Sequence, residues 1–213
     1  MVKSRKNKNM FLCSYVKKRT CPYVLMSLKK CLLVLLSLLV LLSLSACNSE
    51  DVIYREYQCY FLFDTQLHPQ PCQLTAIIGN PGHFCKVEAE MRNNARHLKT
   101  TRNYDGATQD ILLSTDRENQ QRCTLGAGNC IIIGTSSYDN TFIAYEGQCP
   151  NCLNQYGGTR YPLSWQNNGQ QLHCTKCGRS YDVNNGTVVS DGGGHQLYRY
   201  NAGFDGQMIR AWN

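Results

Sequence analysis

The chain has 213 residues, 13 of them cysteine, a length that suits one all-β domain, or one domain with a small subdomain, once any leader is removed. The net charge of +7 misleads as a guide to partners: residues 1–46 hold nine Lys or Arg and no acid, while the remainder carries 13 basic and 15 acidic residues. Because the positive charge is segregated into a leader, composition excludes a nucleic-acid-binding function for the body of the chain.

Residues 32–44 read LLVLLSLLVLLSL, preceded by Lys29 and Lys30. The run falls short of the roughly 20 apolar residues a membrane span needs, and the order basic, apolar, small is that of a secretory signal. It ends in Leu44-Ser45-Ala46-Cys47, which resembles a bacterial lipobox. That resemblance implies lipidation of Cys47 and a new N-terminus there. A start at Met26 would give a leader of ordinary length. The other reading is an uncleaved signal anchor. Asn48-Ser49-Glu50-Asp51 follows, similar to acidic sorting signals of some surface lipoproteins. Residues 1–46 are thus expected to be a leader, and 47–56 a lipidated cysteine with a polar tether. Export would place the rest in an oxidising envelope compartment, where surplus cysteines can pair.

Beyond the tether the pattern predicts strands. Tyr57–Phe63 (YQCYFLF) is aromatic and apolar, and Phe84–Met91 (FCKVEAEM) alternates, with Cys85, Val87, Ala89 and Met91 as the expected buried set. The region Thr108–Ser114 is the best helix candidate. Cys130–Ile133 (CIII) and Phe142–Tyr145 (FIAY) are short apolar runs. Turn signals separate these segments: Asn80-Pro81-Gly82, Asp105-Gly106, Gly126-Ala127-Gly128-Asn129 and Asp139-Asn140. Short strands spaced by turns predict an all-β sandwich or barrel. At the C-terminus, Gln196–Tyr200 and Gln207–Trp212 flank Asp205-Gly206 and predict a hairpin with a bulge.

The chemistry lies in two CxxC pairs, Cys149-Pro150-Asn151-Cys152 and Cys174-Thr175-Lys176-Cys177, with 21 residues between them. Two thiolates from each of two tight turns complete a tetrahedron around Zn²⁺ or a single iron, and this spacing is a metal pattern. Gly178 after the second pair suits a metal knuckle, leaving backbone N–H groups free to point at sulfur. The same four cysteines could instead form disulfides in an oxidising compartment, or a dithiol redox site. The second requires a βαβ context, and the region reads as β-hairpins.

Taken together, Cys149-Pro150-Asn151, Cys174-Thr175-Lys176-Cys177-Gly178, Ser180-Tyr181-Asp182 and Asn185-Gly186 resemble the Rieske ferredoxin domain, whose pattern is C-x-H, a spacer, then C-x-x-H-G. Asp191-Gly192-Gly193-Gly194 stands where the family has its glycine- or proline-rich loop, and Leu197–Tyr200 with Asp205-Gly206 where it has its last hairpin. The resemblance runs from Thr141 to Trp212 and extends back to Tyr57 if the usual supporting strands are present. It implies a Rieske-like antiparallel β-sandwich over residues 57–213. A small rubredoxin- or zinc-ribbon-like metal-binding subdomain would span about 141–190. Cys149 and Cys174 fall on the family's cysteine ligands. Asn151 and Cys177 occupy the two histidine positions, and Cys152 is additional. A Rieske centre uses two histidines on one iron. Here the set Cys149, Cys152, Cys174 and Cys177 is sulfur-only, able to hold Zn²⁺, mononuclear iron or a [2Fe–2S] cluster. No Arg-Arg pair precedes the apolar run, so a folded, preloaded export route is not indicated and Zn²⁺ is favoured.

Five cysteines remain in the expected domain: Cys59, Cys72, Cys85, Cys123 and Cys130. Cys123 and Cys130 flank a glycine-rich turn, so a disulfide or two buried thiols are equally compatible with the pattern. His68, His83, His97 and His195 adjoin turns and are expected at the surface, and His173 is expected to point away from the ligand side of its strand. Tyr156, Tyr161, Trp165 and Tyr181 are expected to shield the sulfurs, or else to form a binding surface. No catalytic triad, phosphate loop or dinucleotide fingerprint is present. Two functions follow as expectations. One is a membrane-anchored electron carrier with a redox partner in the envelope. The other is a non-redox module in which zinc joins two hairpins and the surface binds a protein or glycan.

Overall fold

A computed structural model of the chain describes residues 52–68 and 71–213; the leader and Cys47 lie outside the described residues. The elements in order are β1 (Cys59–Asp64), α1 (Gln73–Ala76), β2 (Phe84–Arg92), β3 (Ala95–Arg102), β4 (Thr108–Leu113), α2 (Asp116–Gln120), β5 (Thr124–Leu125), β6 (Cys130–Thr135), β7 (Phe142–Glu146), α3 (Pro150–Tyr156), β8 (Ser164–Gln166), β9 (Gln171–His173), β10 (Ser180–Asp182), β11 (Arg199–Phe204) and β12 (Met208–Trp212). The fold is all-β and antiparallel, with short helices between strands. Nine strands form one sheet in the order β4-β3-β2-β6-β7-β11-β12-β1-β5, and three form a second in the order β10-β9-β8. Among the described residues, no helix is long and apolar enough to cross a membrane.

The two layers of the expected sandwich are two halves of one curled sheet. β2 and β5, apart in the strand order, both reach Asn129 just before β6: Ala89 N–H donates to Asn129 O and Leu125 N–H to Asn129 Oδ1, both 3.3 Å. The enclosed core takes Phe61 and Phe63 from β1, Cys85 and Val87 from β2, Leu98 from β3, Ile111 and Leu113 from β4, and Ile209 and Ala211 from β12. Alternation decides which face each residue serves. In β6, Ile131 and Ile133 enter this core, while Ile132 points the opposite way, into a second cluster with Phe84, Ile143 and Tyr145. The second cluster also holds Cys149, Cys152, Leu163, Leu172, Cys174 and Tyr181. The CIII run is therefore continuous because both faces of that strand are buried.

The turn signals hold. Gly82, Gly106, Gly126, Gly128, Asn129, Asn140 and Gly206 all have positive φ. At the final hairpin, Asp205 Oδ1 accepts from the backbone N–H of Gln207 (3.1 Å) and of Met208 (2.7 Å), closing the turn that joins β11 to β12.

Three sequence expectations are corrected. Thr108–Ser114 is not helical: Ile111 and Leu113 alternate inward and β4 pairs with β3 throughout, so a two-residue period wins over helix propensity. Met91 is 60% exposed, because the strand outruns the core toward the β2–β3 turn. His68 is not a surface residue. Its ring stacks on Phe63 (4.7 Å) and its Nε2 lies 2.6 Å from Glu118 Oε1.

Ahead of β1, the backbone N–H of Tyr54 donates to Arg199 O (2.8 Å), and the Tyr54 ring stacks on Tyr198 at 3.9 Å. The terminal residue completes this tie: Asn213 Nδ2 donates to the carbonyls of Tyr54 (2.9 Å) and Tyr57 (2.8 Å).

Candidate metal centre

The first CxxC pair opens a helix. Cys149 is the residue before α3, Pro150 stands at its first position where no intrahelical N–H is needed, and Leu153 N–H donates to Cys149 O (3.0 Å). One turn carries Cys152 back beside Cys149. The second pair sits in the β9–β10 connection, whose ends are tied by Cys174 N–H to Arg179 O and Gly178 N–H to Cys174 O, both 2.9 Å. Gly178 has φ +74°, and a Cβ there would meet nothing within 4 Å. The glycine is required by its backbone conformation, not by a need for space beside sulfur.

The structure brings all four sulfurs together. The Sγ atoms of Cys149, Cys152, Cys174 and Cys177 all lie within 4.8 Å of one another, with Cys149–Cys177 at 3.6 Å and Cys152–Cys174 at 3.7 Å. A tetrahedral ion with metal–sulfur bonds of about 2.3 Å sets its sulfurs about 3.8 Å apart, whereas a disulfide needs about 2.0 Å. The donor set therefore fits one tetrahedral ion, and none of the four is bonded to another. Cys149, Cys152 and Cys174 are buried, and Cys177 is partly open to solvent.

Burial pushes the Cys149 thiol up to about 11 and raises that of Cys152 as well. Burial opposes ionisation of Cys177 too. There the N–H and guanidinium of Arg179, with the Cys149 and Cys174 thiols, outweigh it and bring the group down to about 7. The open edge of the site is thus also its most readily ionised corner.

Two polar residues hold the surroundings in place. Asn151, where the Rieske pattern has its first histidine, is not a ligand. Its Nδ2 donates to the Tyr181 hydroxyl (2.7 Å) and to His195 O (3.3 Å), and its Oδ1 accepts from His195 N–H (3.1 Å). The Tyr181 hydroxyl lies 3.2 Å from Cys149 Sγ and, with its oxygen already accepting, has its proton free for the sulfur. Arg179 Nε donates to Gly193 O (2.9 Å), so the Asp191–Gly194 loop is held over the site from both sides.

His173 lies outside the sulfur cluster, with Nδ1 3.1 Å from Ser180 Oγ. Tyr181 is buried with the sulfurs, Tyr161 and Trp165 pack against the same cluster, and Tyr156 is exposed. Cys123 and Cys130 form no disulfide with one another. Sequence reading missed Arg179 and the bonding role of Asn151. Arg179 follows Gly178 in the knuckle, but nothing in its spacing announces a hydrogen bond to sulfur.

Residues 148–186 match the family model described as Trm112p-like protein, a stretch that begins one residue before the first cysteine and ends after the second knuckle. The match covers the metal-binding region and under a fifth of the chain, and no Rieske family model matches. No curated protein matches, and no solved structure matches.

Proposed function

We propose that this protein is a lipid-anchored envelope module in which Zn²⁺, held by Cys149, Cys152, Cys174 and Cys177, joins helix α3 to the β9–β10 hairpin. The observation that carries the reading is the closeness of the four sulfurs, all within 4.8 Å. In a binuclear iron–sulfur cluster the protein sulfurs divide between two irons, with bridging sulfide between them, and the two pairs stand apart. A set this compact suits a single ion. Four protein ligands leave no open position, which is the arrangement of structural zinc rather than catalytic zinc. The similarity of residues 148–186 to the zinc-binding Trm112p-like family points the same way. In this reading the ion supplies cohesion to a small second cluster, and the outer surface binds an envelope protein or a glycan.

A Rieske-like electron carrier is the second reading. It is favoured by the Tyr181 hydroxyl 3.2 Å from Cys149 Sγ, since hydrogen bonds to ligand sulfur tune iron potentials. Natively exported protein separates the two by metal analysis and visible absorbance. One zinc per chain and a colourless solution are expected. Iron, with colour that bleaches on reduction, would overturn the zinc reading. The lipid is tested by Cys47→Ser, which should yield unlipidated, soluble protein; continued partition with membranes would indicate an uncleaved anchor instead.

A further inference from the structure

The segment between β1 and β2 is the longest stretch outside the ladders before the metal region. Its described residues contain only the four-residue helix α1. The segment is tied at Thr65, His68, Pro71, Ile77 and Gly82, and at α1 chiefly through Gln73. Gln73 donates through Nε2 to Ala107 O (3.1 Å), accepts through Oε1 from Thr100 Oγ1 (2.8 Å), and its N–H donates to Gln109 Oε1 (2.8 Å). Directly before it, Cys72 is buried and packs in the same core cluster as Cys85 of β2. Cys85 Sγ lies 3.6 Å from the carbonyl oxygen of Gln73, which places it beside the backbone that carries Cys72.

We propose that Cys72 and Cys85, not bonded to one another in this structure, join in a disulfide that clasps α1 to the sheet, a step that rests on the export reading above, and that Cys59, Cys123 and Cys130 remain thiols. The register speaks against pairing Cys59 with Cys123. Cys59 pairs in register with Leu125, so Cys123 stands to it in the diagonal relation. Diagonal cross-strand neighbours are about 7–8 Å apart, beyond the roughly 4.4–6.8 Å Cα separation a disulfide accepts. Cys130 packs its sulfur against Gly147, on the next strand connection. One pair among five cysteines also accommodates their odd number.

The chemistry balances by exchange with a small-molecule or protein disulfide. Two thiols of the chain lose two protons and two electrons, a sulfur–sulfur bond forms between Cys72 and Cys85, and the oxidant's disulfide is reduced to two thiols. Both partners are buried, with relative exposures of 3% and 0%, so the exchange belongs to folding and not to the finished protein. The thiol of Cys85 is pushed up to about 12, chiefly by burial and further by Cys72, which disfavours the attacking thiolate once the core has closed.

The test is peptide mapping of the full chain, refolded in detergent from the reduced state with zinc in a glutathione redox buffer. The protein is trapped with iodoacetamide, digested with pepsin at low pH and analysed without reduction. The expected result is a cross-linked peptide pair joining Cys72 to Cys85, with Cys59, Cys123 and Cys130 alkylated. Alkyl groups on Cys72 and Cys85, or a link from either to another cysteine, would overturn the proposal. As a second readout, a phosphine reductant should lower the melting temperature of the wild type and leave that of Cys72→Ala unchanged; equal sensitivity would also overturn it.

Discussion

Asn103 and Gly169 are joined across the molecule: the side-chain amide of Asn103, just after β3, donates to the carbonyl of Gly169 in the β8–β9 turn at 3.1 Å. The same amide donates to Gly82 O (2.8 Å), and its oxygen accepts from Phe84 N–H (2.9 Å). One buried side chain therefore fixes the small sheet of the metal-binding region to the large one.

Asn103→Ala strands the buried Phe84 N–H and Gly169 carbonyl and the partly buried Gly82 carbonyl, and is expected to cost about 2–3 kcal/mol, at about 1 kcal/mol or more per unsatisfied buried group. Gly169→Ala attacks the same joint from the other side. Its Cβ would meet Asn103 O at 2.1 Å, at a φ of +77° that L residues avoid. Urea denaturation checks both; a loss below about 0.5 kcal/mol, the range of ordinary surface changes, would mean that the joint carries no load.

Cys177→Ser is expected to lower metal content from one ion per chain to near none and to melt the Cys149–Cys177 region first, because ligand loss removes binding energy that is also folding energy. A chelator should reproduce the effect on the wild type and leave the variant unmoved. Hydrogen exchange read over β9, β10 and α3 locates the loss. Unchanged metal stoichiometry would contradict the four-sulfur assignment.

In metal-free protein, Arg179→Gln should raise the thiol of Cys177 from about 7, because the backbone and guanidinium N–H groups of Arg179 are the largest of the groups that overcome burial there, ahead of the Cys149 and Cys174 thiols. The rate of alkylation of Cys177 against pH reads this directly: its midpoint should move toward higher pH. A midpoint that stays in place would assign the effect to the backbone N–H alone.

Glu146 is buried among the N–H of Ala127, the N–H of Gln148 and the hydroxyl of Tyr200, yet burial prevails and raises its carboxyl above the ordinary 4.5. An acid whose pKa rises on folding binds its proton more tightly in the folded state. Its contribution to stability therefore grows as pH falls through the folded value toward about 4.5, and is lost as pH rises through it. Relative to Glu146→Gln, which has no proton to bind, the wild type should gain stability on acidification within that window. Parallel stability curves would show that the carboxyl does not titrate differently on folding.

The legible parts of this fold are those with local causes. Gly126, Gly128 and Gly206 announced turns because the backbone needs positive φ, and the two CxxC pairs announced the site because four thiolates at that spacing have few other uses. β3 was missed because Ala95–Arg102 mixes long polar side chains with Leu98, and its hairpin with β2 turns on Asn93-Asn94, not on a glycine. β4 reads ambiguously because its three apolar residues, Ile111, Leu112 and Leu113, are consecutive and show neither a two-residue nor a helical period. The real helix next to it carried a signal that could have been read: Thr115 and Glu118 form a capping box around the start of α2. What no local pattern reveals is partnership across the chain. Asn103 with Gly169, Arg179 with the site, and Asn151 with the glycine loop depend on tertiary placement.

β12 sits between β11 and β1, pairing Ala211 with Phe61 on one side and with Ala202 on the other. Without that last strand the large sheet falls into two pieces, β4-β3-β2-β6-β7-β11 and β1-β5. β12 is the last of these strands in chain order, so the earlier strands can pair within each piece but the pieces cannot join until β12 is in place. The strand order thus makes completion of the large sheet a late, long-range event that no local segment can anticipate.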